Sequence, residues 1–297
     1  MFFILDHKET GFGQQLKSNA TEKGIKTIYL TSQDIVHDIL LDYRLTDHDE
    51  KFLIRAGNFE FSSEDIFGAY CGLNNFWPDL WPGFSSTDAQ YAAQETYALW
   101  LAMLSSLTCR VINKPALDTL AGSLLSVTET LFLGHKHGLD IPLTLILESG
   151  QTASALINDH SSVEYTDLGN KPWAAEKQDN KPESSHALNA NHCRITEVVS
   201  GKLVFITQVG DRFFSCTKNG KDAAVPIDIL IPDKVYAGLR SLQKVLNLNM
   251  AEYYFRISKD QSWIFSGYGR VPEQSVKAYG KEIIDYIVNY AIGNGGK

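Results

Sequence analysis

The sequence predicts an α/β unit followed by an α+β arrangement, and three observations carry that prediction. Over residues 1–113, compact apolar runs alternate with helix-length stretches, the pattern of strands interleaved with helices around a parallel sheet. At residues 111–147, an apolar run closes at Asn113-Lys114-Pro115, a helix-length stretch ends at Gly138, and a short β-like run follows. Beyond residue 193, strand-like runs are separated by the tight-turn pairs Ser200-Gly201 and Gly210-Asp211, which predicts an antiparallel meander. The seams fall near Lys114 and across the polar stretch 170–192, giving three subdomains: 1–113, 114–192 and 193–297.

In chain order, Phe2-Phe3-Ile4-Leu5 suits a buried first strand and residues 27–30 a second. Ser32, ahead of Gln33-Asp34, is the expected cap of a helix. Residues 52–55 and 58–61 add two strand-like runs, so the first unit reads as Rossmann-like. No G-x-G-x-x-G occurs, and Gly11-Phe12-Gly13 reads as turn glycines rather than a phosphate cradle. Residues 74–84 (NNFWPDLWPGF) form a loop. In it, Trp77 and Trp81 either line a surface for a peptide or partner or plug the gap between subdomains. Ser86-Thr87 cap a helix over 88–107 with a stripe through Tyr91, Leu99, Leu101 and Leu104, and a strand at 109–113 follows.

Pro115 stops that strand because proline removes a ladder donor. The next helix carries Leu124, Leu125, Leu131 and Leu133, and Gly138 can take the left-handed conformation that ends it. Residues 149–192 are polar and poor in aliphatics, with a strand at 162–166 and then a long loop. Order returns with strands at 195–199, 203–209 and 212–216, an apolar run at 227–231, and a helix opened by Pro232-Asp233-Lys234. A hairpin at 253–257 and 263–266 turns around Lys259-Asp260-Gln261. One last helix over 272–292 has Val276, Ile283, Ile284 and Ile287 as core positions.

At 297 residues and 44% hydrophobic content, the chain can bury a core for two or three subdomains. A net charge of −8 leaves no basic field for nucleic acid or an anionic membrane. The N-terminal apolar run is too short for a signal peptide and lacks a basic region before it. No stretch approaches the roughly 18 apolar residues of a membrane span, so a cytoplasmic protein is expected. Cys71, Cys109, Cys193 and Cys216 are scattered without a C-x-x-C pair, which reads as reduced thiols. His192-Cys193 with His186, and His135-x-His137, lack the spacing of a zinc site, and no metal is expected from them. The chain has no G-x-S-x-G and no Walker loop at Gly220-Lys221.

The order strand, Asn113-x-Pro115 turn, helix, Gly138-Leu139-x-x-Pro142, strand resembles the junction into the nucleotide-binding part of ATP-grasp ligases. It is most similar to the graspetide (microviridin-type) ribosomal-peptide ligases and the ribosomal-protein glutamate ligases. The resemblance implies a pre-grasp domain followed by central and C-terminal grasp subdomains. It also implies chemistry in which ATP activates a carboxylate for attack by an amine or hydroxyl. Such phosphoryl transfer needs cations and magnesium held by hard oxygen ligands. By this resemblance, Glu197 in ITEVVSGK is the adenine-binding residue at the hinge. The family's lysine ahead of the Gly-Leu-x-x-Pro turn falls at Ser126 to Val127, its central-strand lysine at Thr166, and its arginine at Phe205. Its metal-binding acidic residue falls at Tyr254, and its Glu-x-Asn at Gly267 and Gly269; a one-turn slip brings in Glu252 or Glu273.

With the lysines, the arginine and the metal ligands all replaced, the expectation is a degenerate ATP-grasp protein. Such a pseudoenzyme binds a peptide or partner in peptide modification and needs no cofactor. The alternative is an active carboxylate–amine or carboxylate–hydroxyl ligase using ATP and magnesium through Glu197, Glu252, Asp260 and Lys202. In that case Lys171, Lys177 or Lys181 are brought in on a lid. A third reading is a nucleotide sensor that works without metal. Whether the chain is an enzyme stays open at this point. The partners expected are a peptide or protein, an active ligase among them, with no nucleic acid and no membrane, and the family resemblance implies a homodimer.

Overall fold

A computed structural model describes residues 1–7, 11–45, 50–56, 59–116, 119–147, 163–167, 193–219 and 223–293. The first unit contains β1 (Phe2–Leu5), α1 (Phe12–Glu22), β2 (Thr27–Leu30), α2 (Ser32–His37), β3 (Ile39–Leu45), β4 (Glu50–Ala56), β5 (Phe59–Ser62), β6 (Gly68–Cys71), α3 (Ser86–Ser106) and β7 (Arg110–Ile112). Strands β2-β1-β6-β7 form a parallel sheet. Every residue of β1 is buried, as its unbroken apolar run requires when helices cover both faces. The runs at 52–55 and 58–61 do not join this sheet. They belong to β4 and β5 of a separate antiparallel sheet β3-β4-β5 (Asn58 lies outside the described residues). Strand β6, whose Gly-Ala-Tyr-Cys carries little β signal, is the parallel neighbour of β1 instead. The cap of α2 is Thr31, whose side chain exchanges hydrogen bonds with Asp34 in a capping box, and α3 is capped by Ser85.

Helix α4 (Val127–Lys136) is shorter than the stretch ending at Gly138 predicts. Residues 119–126 are irregular because tertiary partners take their polar groups. The Arg270 guanidinium donates to Thr119 Oγ1 at 2.7 Å and to the Gly122 carbonyl at 2.9 Å, and Ser126 starts the helix in a capping box with Glu129. The far end behaves as expected. Gly138 has φ 83°, its N–H reaches the His135 carbonyl, and the Leu139 N–H reaches that of Gly134, a Schellman pair.

Strands β8 (Thr144–Leu147), β9 (Val163–Asp167) and β10 (Cys193–Glu197) form an antiparallel sheet in the order β8-β10-β9. The rest comprises β11 (Lys202–Val209), β12 (Arg212–Asn219), β13 (Ala223–Pro226), α5 (Asp233–Val245), β14 (Met250–Ile257), β15 (Trp263–Gly269), α6 (Glu273–Tyr279) and α7 (Lys281–Ala291). Its five-stranded antiparallel sheet has the order β13-β12-β11-β14-β15. Ser200-Gly201 is therefore no hairpin turn: β10 and β11 lie in different sheets, and the pair connects them. The last helix is likewise two. Gly280, at φ 52°, breaks it between α6 and α7.

One face of the five-stranded sheet buries Val204, Ile206, Tyr253 and Phe255 against α4 and α5. The other buries Val209, Phe214 and Met250 with Ile283, Ile287 and Val288 of α7, and this core continues into Phe2, Ile4 and Ile112 of the first sheet. Among the described residues, no helix is long and apolar enough to cross a membrane.

Candidate functional site

Strands β11, β14 and β15 bring Phe205, Tyr254, Gly267 and Gly269 side by side. Phe205 is in register with Tyr254, and Tyr254 with Gly267; Glu252 is in register with Thr207 on one side and Gly269 on the other. The ladder shifts between Tyr254 and Phe255, a β-bulge beside these positions. The Phe205 and Tyr254 rings meet edge to face, with centroids 5.7 Å apart, and Phe205 is only 6% exposed. The Tyr254 ring lies along β15. A Cβ built on Gly267 would stand 3.6 Å from its Cδ2, and one on Gly269 would fall inside the contact radius of its hydroxyl oxygen. Gly267 also has φ 152°, where side-chain-bearing residues are rare. Tyr268, between the two glycines, packs on the opposite face, where its hydroxyl donates to the Ser123 carbonyl at 3.0 Å.

Glu252 is 1% exposed and held by the start of α6. Its Oε2 accepts from the Ser275 N–H at 2.8 Å and its Oε1 from the Gln274 N–H at 3.2 Å. Its carboxylate thus satisfies amides that a helix start leaves without intrahelical partners. The Thr207 hydroxyl lies 2.8 Å from Ser275 Oγ and 3.3 Å from Glu252 Oε2, with Cys216 Sγ 3.6 Å from Ser275 Oγ. Burial pushes the Glu252 carboxyl above the ordinary glutamate range, outweighing these hydrogen bonds. Burial also raises the Tyr254 phenol, helped by Glu252 and Glu273, and pushes the Cys216 thiol up to about 12.

The other sequence candidates do not converge here. Glu197 ends β10, exposed, with Oε2 accepting the Leu143 N–H at 3.4 Å; it stands at the connection between sheets. Ser126 is the cap of α4, and position 166 is opposed to Arg194 across β9 and β10. Asp260 accepts from the Ser258 and Ser262 hydroxyls within its hairpin turn, which holds its carboxyl below the usual range. Lys202 and Glu273 are exposed. Lys171, Lys177, Lys181, His186 and His192 lie outside the described residues. Trp77 is 59% exposed, whereas Trp81 packs against the core of the first unit, so the two separate. At the Gly11-Phe12-Gly13 turn, the Gly13 N–H donates to buried Asp6 Oδ2 at 2.8 Å, placing a carboxylate where a phosphate would need to sit. Among the described residues, no three His, Cys, Asp or Glu side chains gather as a metal group.

Arg270 went unnoticed in the sequence because no motif marks it. Its guanidinium joins Thr119, Gly122 and Asn74, tying the end of β15 to the first unit.

Solved structures match this architecture over its whole length. The macrocyclase MdnC from Microcystis aeruginosa MRC, bound with precursor peptide MdnA, superposes with a TM-score of 0.76 at 15% identity, over 98% of this chain and 99% of that one. The chain has an ATP-grasp fold. A Chryseobacterium gregarium RiPP-associated ATP-grasp ligase, in complex with ADP and a leader and core peptide, gives 0.74 at 14% identity, over 100% and 97% of the two chains. A RimK domain ATP-grasp protein from Sphaerobacter thermophilus DSM 20745 gives 0.55 at 12%, over 99% and 100%. No protein-family model and no curated protein matches the sequence.

The ATP-grasp resemblance implies a magnesium–triphosphate group, and, among the described residues, those that the resemblance sets in its place do not fit one. Magnesium takes near-octahedral oxygen ligands, commonly carboxylates. Here a neutral phenol covers two glycines, and the nearest buried carboxylate holds a helix start.

Proposed function

We propose that this ATP-grasp protein binds a peptide within a peptide-modification system and does not itself carry out ATP-dependent ligation. The observation that carries the reading is the Tyr254 ring lying over Gly267 and Gly269, where the resemblance puts metal ligands. The peptide part is supported by similarity to MdnC bound with a precursor peptide and to a ligase bound with leader and core peptides. Exposed Trp77 is the proposed aromatic contact, since a tryptophan left in water beside a loop suits peptide capture. Trp81 acts behind it as packing. An active ligase is a second proposed partner, the family resemblance implies that the chain pairs with itself, and the cytoplasm is the proposed setting.

The test combines calorimetric titration of the whole chain with ATP, with and without magnesium, and selection of a displayed random peptide library on the immobilised chain. The expected outcome is no magnesium-dependent heat, together with a peptide consensus whose affinity drops at least tenfold in Trp77→Ala. Magnesium-dependent ATP binding would sink the non-catalytic part, and a selection that converges on no consensus would sink the peptide part.

A further inference from the structure

We infer that the chain fills from within the place where the ATP-grasp resemblance sets the metal–triphosphate group. Tyr254 is the occupant, and Gly269 is the space its hydroxyl needs. The inference rests on the ATP-grasp reading above and deepens it, by assigning these residues one joint role.

Residues 267 and 269 alternate onto the same face of β15, which is the edge of the five-stranded sheet, and Tyr254 stands across from them on β14. A ring laid over cross-strand glycines at a sheet edge replaces the side-chain packing that glycine lacks. The reverse holds as well. A side chain at 269 meets the Tyr254 hydroxyl, so a carboxylate or amide there displaces the ring from its place against Phe205. Phe205 braces the ring from β11. A ligand restored at 269 alone would therefore have to displace the ring and set its charge against aromatic groups. A one-turn slip does not refill the place from the sheet: Glu252 is held by the amides of Gln274 and Ser275, and Glu273 lies on α6.

The test is a metal titration paired with a double-mutant cycle on the whole chain. Manganese(II) with ATP is the probe, read by the amplitude of the free-ion electron spin resonance signal. Wild type is expected to leave that amplitude as ATP alone sets it. In the cycle, Gly269→Ala is expected to lower Tm by about 2–10 °C, and at least half of that fall is expected to vanish in a Tyr254→Ala background. If Gly269→Ala does not fold, recovery of folded protein in the double variant supports the inference equally. Uptake of manganese by wild type in the presence of ATP would overturn it, and so would an equal penalty, or failure to fold, in both backgrounds. A ligated peptide product without metal uptake would instead remove the proposed function and leave the closure by Tyr254 standing.

Discussion

Glu252 shows how one residue changes meaning between a sequence and a fold. Its position near the end of the hairpin where the resemblance puts metal ligands was readable, and a slip in alignment made it a candidate ligand. The amides that engage it belong to Gln274 and Ser275, which only the folding of α6 onto β14 brings within reach. Because burial raises its pKa in the folded state, the native protein holds this proton more tightly than the unfolded chain does. The stabilisation linked to that proton is fully present below the unfolded value, about 4.3, and is lost as pH rises through the raised folded value. Glu252→Gln removes the titration and keeps one acceptor. Melting curves across the acidic-to-neutral range should show the Gln variant gaining on wild type as pH rises. A constant difference across that range would contradict a buried, titrating Glu252.

At the scale of elements, most of the strands and the helices α3 and α5 were legible, because period and punctuation are local properties, whereas α1, in a polar stretch, was not read as a helix. Phe2–Leu5, Thr27–Leu30, the β14–β15 hairpin and the α5 start all stand where the pattern puts them. The errors have a common cause. Residues 119–126 look helical by composition, but their polar groups are satisfied by Arg270 and by the Ser126–Glu129 capping box. Ser126→Ala should cost about 1 kcal/mol by freeing the start of α4. Urea unfolding should read that cost as a lower midpoint with an unchanged slope. A loss within error would mean that packing of Leu131 and Gly134 against the sheet, not the cap, sets where α4 begins.

For the whole molecule, the decisive feature is the return of α7 to the first sheet. Its Ile283, Ile287 and Ala291 share a core with Phe2, Ile4 and Leu16, so the two ends of the chain close one structure. The two backbones come close at Gly68 of β6, where an added Cβ would stand 2.5 Å from the Ala291 carbonyl oxygen. Gly68→Ala should push α7 off the sheet and cost about 1–3 kcal/mol. Thermal melting checks the cost, and faster amide exchange in α7 than in α5 would show that the loss falls at this contact. An unchanged melting point would mean that α7 docks more loosely than its buried face implies.

The sequence by itself determined the strand and helix periods, the left-handed helix end at Gly138, and the resemblance that points to the ATP-grasp fold. These depend on residue types at short spacing. Tertiary structure alone decided that β3-β4-β5 stands apart from the parallel sheet, that Ser200-Gly201 links sheets, and that α7 crosses back. It alone also decided that Phe205, Tyr254, Gly267 and Gly269 meet on one face. The physical reason is that strand register and helix docking join residues far apart in the chain. A glycine read singly says only that a side chain is missing; beside Tyr254 it shows what took the space.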